Sequence, residues 1–341
     1  MGQVGVSAAS QEGDNHLTGE AVVLDNENAG TPWQKTVMPI KVADHFSGRF
    51  SVKILLTGVT GKVGGATAKA LAAQPGMKGR LRAIARNPEK AANIAALGIE
   101  VVQGDLADPA SLKSAFADVE KAFLVMPNGE EQLTLEKGFV DAAKAAGVKH
   151  IVKLSSIEAH HGVTAKVPQM HVAAEDYIKA SGLAWTMLKP TFYMQTLFAN
   201  ARTIVGNGTI VVPCGEGKTG FTDTRDVGAV AAKVLSEPGH EGKSYDLTGP
   251  EILNFDQVAE RFGKALGKPV TYVRQPMAAY REILGKFLPP WRADAVCELF
   301  TEEGVGGGLT KPTDTIQKIL GRPATSFDQF IQDHIAMYRG Q

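Results

Sequence analysis

What this 341-residue chain lacks narrows its function first. It has only two cysteines, Cys214 and Cys297, far apart and without metal-type spacing. A disulfide framework and a zinc site are therefore not expected, and a reducing cytoplasm is the expected compartment. Charge of one sign is missing too. Its 36 Lys and Arg balance 36 Asp and Glu, for a formal net charge of +0. Nothing electrostatic invites nucleic acid or an acidic membrane surface as a partner. No apolar run approaches the roughly 20 residues of a membrane span. The first fifty residues lack the basic start and continuous apolar core of a secretory signal. Glu12, Asp14, Glu20, Asp25 and Glu27 set them apart from acid-poor transit peptides. Residues 1–50 read as a disordered or loosely packed extension, or as an over-long start of the reading frame. The stretch 33–50 has enough apolar content to pack on a domain surface.

What is present begins at Lys53-Ile-Leu-Leu-Thr-Gly-Val-Thr-Gly-Lys-Val-Gly-Gly65. An apolar β-type run ends in glycines at 58, 61 and 64, and a helical pattern follows. In a dinucleotide-binding strand–loop–helix, such glycines let the backbone approach a pyrophosphate at the helix N-terminus. Gly58, Thr60, Gly61, Lys62, Val63 and Gly64 are the expected cradle. A second strand at 81–85 ends at Arg86. An NAD-specific site usually carries an acidic residue near here, about 20 residues beyond the loop. Arg86, with Lys90 one helical turn later, suits a 2′-phosphate instead. The expected cofactor is NADP(H), with NAD(H) admitted.

Short apolar runs at 53–57, 81–85, 100–103, 121–126, 150–154 and 185–188 alternate with helical patterns at 62–74, 88–96, 109–116, 131–146 and 170–180. This rhythm predicts an α/β fold, a doubly wound parallel sheet of Rossmann type. Right-handed crossovers bring the loops after the first, fourth and fifth strands to one crevice. After Pro190 come helical runs at 194–205, 225–236 and 255–266. Short β-type runs at 209–213, 244–247 and 270–274 lie among them. The expected organisation is residues 51–190 as the dinucleotide-binding core and residues 191–341 as a small α/β substrate lobe completing the same fold. Gly304 to Gly308 reads as a flexible link, because no strand precedes it.

The chain resembles the NmrA-like group of atypical short-chain dehydrogenases/reductases. It looks most similar to the NAD(P)H-dependent quinone, azo-dye and triphenylmethane-dye reductases. The resemblance rests on Thr57-Gly-Val-Thr-Gly-Lys-Val-Gly64, Arg86-Asn-Pro-Glu-Lys90, Gly104-Asp105-Leu106, Ala184-Trp-Thr-Met-Leu-Lys-Pro-Thr-Phe-Tyr-Met-Gln195, Gly217-Lys-Thr-Gly-Phe-Thr-Asp-Thr-Arg-Asp226 and Gly321-Arg-Pro323. It covers about residues 52–337. It implies that Asp105 and Leu106 approach adenine, and that Pro190 and its neighbours flank the nicotinamide. One departure stands out. Typical members of the wider superfamily carry Tyr-x-x-x-Lys on the helix after the fifth strand. In the register set by Glu175 and Ser181-Gly182-Leu183, those positions fall on Val167 and His171. Val cannot donate a proton.

Several residues keep two readings. His171 is either a polar group near ribose or substrate, or a helix-surface or satisfied core histidine. Tyr193 either points its hydroxyl at substrate or is a packed aromatic. Met126, Pro127 and Asn128 run along the cofactor or are a plain strand exit. Ser155 and Ser156 bond the nicotinamide side or cap the turn. Asp105 meets adenine or caps a local turn. Phe192, Met194 and Phe198 line a pocket for a flat substrate or belong to the core. His160 and His161 are exposed loop histidines, and Asp226 steadies the helix beginning near it.

The expected activity is hydride transfer from the nicotinamide to a conjugated, electron-poor acceptor, a quinonoid or aromatic small molecule. Such an acceptor delocalises the incoming charge and needs no Tyr acid. The resemblance is compatible with a homodimer. Two alternatives are a non-catalytic NADP-binding sensor acting on a partner regulator, and a structural subunit that keeps only fold and cofactor.

Overall fold

The computed structural model describes residues 19–25, 34–40, 53–301 and 311–341. It divides into two units, Met1–Phe50 and Ser51–Gln341. In the first, β1 (Gly19–Asp25) pairs antiparallel with β2 (Gln34–Ile40), Gly19 opposite Ile40 and Asp25 opposite Gln34. The rest of the expected extension, and the expected link at Gly304 to Gly308, lie outside the described residues.

The second unit is built on seven parallel strands. In chain order they are β3 (Lys53–Leu56), β4 (Leu81–Ala85), β5 (Glu100–Gln103), β6 (Val119–Leu124), β7 (His150–Leu154), β8 (Ala184–Pro190) and, after β9 (Thr209–Val212) and β10 (Lys218–Thr219), β11 (Lys243–Leu247). Their order across the sheet is β11-β8-β7-β6-β3-β4-β5. Between β3 and β6 the direction of winding reverses, and the crevice at the strands' carboxyl ends opens there.

Side chains alternate across the pleat, so each strand feeds two cores. Ile54 and Leu56 meet Val63, Ala68 and Leu71 of α1 (Lys62–Ala72) and Val227, Val230 and Val234 of a helix at Thr224–Ser236. Leu55, Ile84, Ala122 and Leu124 meet Leu112, Phe139 and Ile178 on the opposite face. The helices of that face include Pro109–Ala115, Gln132–Ala145 and Lys166–Ala180. With the short helix Ala92–Ala95 counted as α2, these three are α3, α4 and α5. Ala201–Asn207 is then α6 and Thr224–Ser236 α7.

The C-terminal lobe has its own core. Met194, Leu197, Phe221, Phe255, Phe262, Phe327 and Phe330 are buried together. Phe192 packs edge-on to Phe221, Phe255 and Phe300, with ring centroids 5.1–5.9 Å apart. Phe192 and Met194 thus take the core reading. Phe198 is half-buried, stacked on Phe330 at 5.7 Å.

Several sequence boundaries move. β6 ends at Leu124, not at 126, because the Val125 amide and carbonyl bond the Thr57 hydroxyl instead of a neighbouring strand. α5 begins at Lys166, four residues before the expected 170. Pro168 stands in its first turn, where a missing N–H leaves no bond unmade. The run expected at 88–96 is a 3₁₀ turn, Pro88–Ala91, leading into α2. The run expected at 194–205 opens as 3₁₀, Met194–Asn200, before α6.

Candidate functional site

The crevice is assembled from loops at the carboxyl ends of β3, β4, β6, β7 and β8. Gly58 adopts φ +61, and a Cβ there would lie 2.7 Å from the Val125 carbonyl oxygen. Gly64 is tighter still, since a Cβ would overlap the Gly58 carbonyl. Behind them Val59 and Val63 are buried anchors, while Thr60, Gly61 and Lys62 stand exposed at the lip. α1 starts after Gly61, which has no side chain to cap it. Its first amides are free to hold an anion, helped by the helix dipole. This is the geometry of a pyrophosphate cradle.

Lys62 also closes the crevice from one side. Its ammonium donates to the Gln195 carbonyl at 3.0 Å and lies 5.1 Å from the centroid of the Phe198 ring. Burial lowers its pKa. The contact ties the glycine loop to the first segment of the C-terminal lobe. Gln195 is itself fixed by Asp223, the residue whose carboxylate caps α7. Asp226, expected to steady the start of that helix, does so from its first turn by reaching the chain's far end. Its carboxylate accepts from Arg322 Nη2 at 2.7 Å and the Thr325 amide at 2.6 Å.

At the next strand end, Arg86 and Lys90 are both exposed, and neither forms an ion pair among the described residues. The Asn87 side chain accepts from the Glu89 amide and holds the turn that carries Lys90. Two unpaired cations beside an open helix N-terminus suit a second phosphate. Asp105 Oδ1 accepts from the Ala107 amide at 3.0 Å, which makes it a local turn cap; Leu106 packs partly buried below. Beyond β6, Met126 packs half-buried against the core, Pro127 is exposed and Asn128 half-buried.

The two serines after β7 diverge. Ser155 turns toward α5, donating to Glu175 Oε1 at 2.6 Å, and Glu175 also holds Lys179 and Lys189. Ser156 faces the other way and donates to the Glu158 carboxylate. Burial raises the Glu158 pKa, against the pull of Ser156. Tyr193 packs, partly buried, against the core that β3 shares with α1 and α7. Burial, then the Glu158 charge, pushes its phenol up. Pro190 is buried at the end of β8, its carbonyl accepting from the Ile157 amide.

On α5, Val167 is buried at 3% exposure and offers no proton. His171, one turn on, is 8% exposed, and its Nδ1 faces Lys153 at 3.2 Å and Gln132 at 3.4 Å. Lys153, Glu136 and Gln132, which surround His171, and Glu158, beside Ser156, are polar residues that sequence reasoning did not select. A lysine inside the apolar run His150-Ile-Val-Lys-Leu154 was the one available signal. His160 and His161 are exposed, as expected. Among the described residues no His, Cys, Asp or Glu cluster of three or more is placed to hold a metal ion, and no helix is long and apolar enough to cross a membrane.

Residues 51–312 match the model of the NmrA-like family. An NAD(P)H azoreductase from Xenophilus azovorans is 34% identical, over 84% of this chain and 99% of the relative. Quinone oxidoreductase 2 of Escherichia coli is 33% identical, over 82% and 97%. The NADPH complex of the E. coli NADPH-dependent quinone oxidoreductase superposes with TM-score 0.75 at 32% identity, over 83% of this chain and 99% of that one. The NADP(H) complex of Citrobacter sp. triphenylmethane reductase gives 0.73 at 28%, over 82% and 99%.

Proposed function

Because the chain belongs to the NmrA-like family, we propose that it is an NAD(P)H-dependent reductase of conjugated, electron-poor acceptors such as quinones, azo dyes and triphenylmethane dyes. The observation that carries this reading is a complete dinucleotide cradle beside a helix with Val167 where an ionisable phenol would serve ketone reduction. The cofactor, when bound, supplies a hydride from its nicotinamide. Gly58 and Gly64 let the backbone reach its pyrophosphate, and the open first turn of α1 faces that charge. Arg86 and Lys90 select the 2′-phosphate, so NADPH is preferred over NADH. An acceptor that spreads the transferred charge over its π-system takes its proton without a dedicated Tyr.

In this reading Asp105, Leu106, Met126, Pro127, Asn128, Ser156 and Pro190 border the dinucleotide, while Tyr193 and His171 flank the acceptor. Residues 51–190 carry the cofactor and 191–341 shape the acceptor's side. The protein works as a homodimer in a reducing cytoplasm, the latter supported by two free, buried cysteines. Following NADPH absorbance of the full chain with a panel of quinones, azo dyes and triphenylmethane dyes tests the activity. Tight NADPH binding with turnover of none would leave a sensor, not a reductase. Light scattering tests the dimer.

A further inference from the structure

Between β7, α4 and α5, five polar side chains are buried. Gln132 and Glu136 lie four residues apart on the buried stripe of α4, and His171 and Glu175 do the same on α5. Lys153 of β7 is fully buried among them. Its ammonium donates to Glu136 Oε1 at 2.6 Å and to His171 Nδ1 at 3.2 Å. Gln132 Nε2 donates to the same Glu136 oxygen at 3.3 Å and lies 3.4 Å from the same Nδ1.

An ammonium has no lone pair, so it can only donate. The Gln132 amide is oriented by the carboxylate it also faces, which turns its NH₂ toward Nδ1. Both polar neighbours of Nδ1 are therefore donors. Nδ1 accepts, and the ring proton resides on Nε2. Charge around the ring points the same way. Burial, then Lys153, then Lys189 of β8 hold His171 well below the usual histidine range. The neighbouring carboxylates are each engaged, Glu136 by Lys153 and Glu175 by Lys179 and Lys189. Nε2 has no hydrogen-bond partner among the described residues, yet it is not among the buried unpartnered atoms. It belongs to the sliver of the residue that remains accessible.

We propose that the buried Lys153–Glu136 pair locks His171 as a neutral imidazole whose Nε2–H is a fixed hydrogen-bond donor to an oxygen in the crevice, either a hydroxyl of the bound dinucleotide or the oxygen of the acceptor. Lys153 and Glu136 are then positioning residues. His171 donates a hydrogen bond but not a proton. This rests on the reductase reading above.

The test is two-bond ¹H–¹⁵N correlation spectroscopy on ¹⁵N-histidine-labelled full chain, with His171 assigned by His171→Asn. The Nε2–H pattern, unchanged between about pH 5 and 8, is expected. The Nδ1–H pattern, or a protonation midpoint within that window, overturns the proposal. Lys153→Met alone strands a buried carboxylate and threatens the fold, so the variant to compare is Lys153→Met/Glu136→Gln. Its His171 is expected to stay neutral by burial but to exchange between tautomers; an unaltered pattern overturns the lock. NADP⁺ alone and a quinone alone are then added to the wild type. A His171 shift with the first assigns the dinucleotide hydroxyl, and a shift with the second assigns the acceptor oxygen. A shift with neither overturns the placement in the crevice. A protein that reduces quinones while His171 titrates overturns only this inference. A locked His171 without turnover overturns only the reductase reading.

Discussion

Thr57 holds Val125 by both its amide and its carbonyl. Its Oγ1 donates to the Val125 carbonyl at 2.7 Å and accepts from the Val125 amide at 2.8 Å. Thr57 follows β3 and Val125 follows β6, so one hydroxyl stitches the two strands at the point where the sheet's winding reverses. It also fixes the carbonyl that Gly58 must pass without a Cβ.

Thr57→Val keeps the shape and removes the stitch. Two partly buried backbone groups then lose their partner, and the change should lower stability by about 1–2 kcal/mol. NADPH affinity should fall several-fold as the loop loosens. Urea unfolding and fluorescence titration measure both. A variant within about 0.5 kcal/mol of wild type would show that the hydroxyl is incidental.

Arg86→Ala addresses cofactor choice. A charge-assisted hydrogen bond to phosphate contributes about 1.5–3 kcal/mol, so the NADPH dissociation constant should rise roughly ten- to a hundredfold. NADH, which has no 2′-phosphate, should bind as before. If both cofactors weaken equally, Arg86 serves the loop's structure and the selectivity argument fails.

These two residues differ in how visible they were from sequence. Strands buried on both faces read as largely apolar runs, so β3, β4 and β7 could be placed closely; β5, an edge strand, was marked by its Val101-Val102 pair. The cradle was equally plain, because its glycines, strand and helix are contiguous. The end of β6 was not, since Val125 and Met126 stay apolar after the ladder stops; only the Thr57 hydroxyl marks the exit. His171 was found by register. Its surroundings were not, because Glu136, Lys153 and His171 come from α4, β7 and α5, and only the folded sheet brings them together. The 3₁₀ opening at Met194–Asn200 left no local signal either.

Glu158 gives a pH-dependent effect of definite sign. Its carboxyl is half-buried beside Ser156, with His160 and Tyr193 near, and burial raises its pKa. The folded state thus favours the neutral acid more than the unfolded chain does. Stability on this account is full below the ordinary glutamate range and is lost as pH rises from there through the raised value. Glu158→Gln should melt above wild type at pH 8, with the difference shrinking toward pH 4. A difference that does not change with pH would mean that the carboxyl titrates as an exposed one.

His150 should act in the opposite direction. It lies on β7, 2% exposed, with Nε2 2.9 Å from Thr186 Oγ1 and no partner for Nδ1. Burial, then the Lys121 cation, lowers it from 6.5 to about 4. Above pH 6.5 the ring is neutral in both states and nothing is lost. As pH falls below 6.5 the unfolded chain takes up a proton that the folded protein refuses until about 4. Stability therefore declines through that interval, by about 2 kcal/mol at pH 5 on the ~1.4 kcal/mol per unit scale. His171, held low by its own burial, adds to the acid sensitivity of the wild type, so the informative quantity is a difference between proteins. His150→Gln removes one titrating ring and should lose about 2 kcal/mol less than wild type between pH 7.5 and 5 in urea unfolding. Parallel losses in the two proteins would place the acid sensitivity elsewhere and return His150 to an ordinary, proton-accepting histidine.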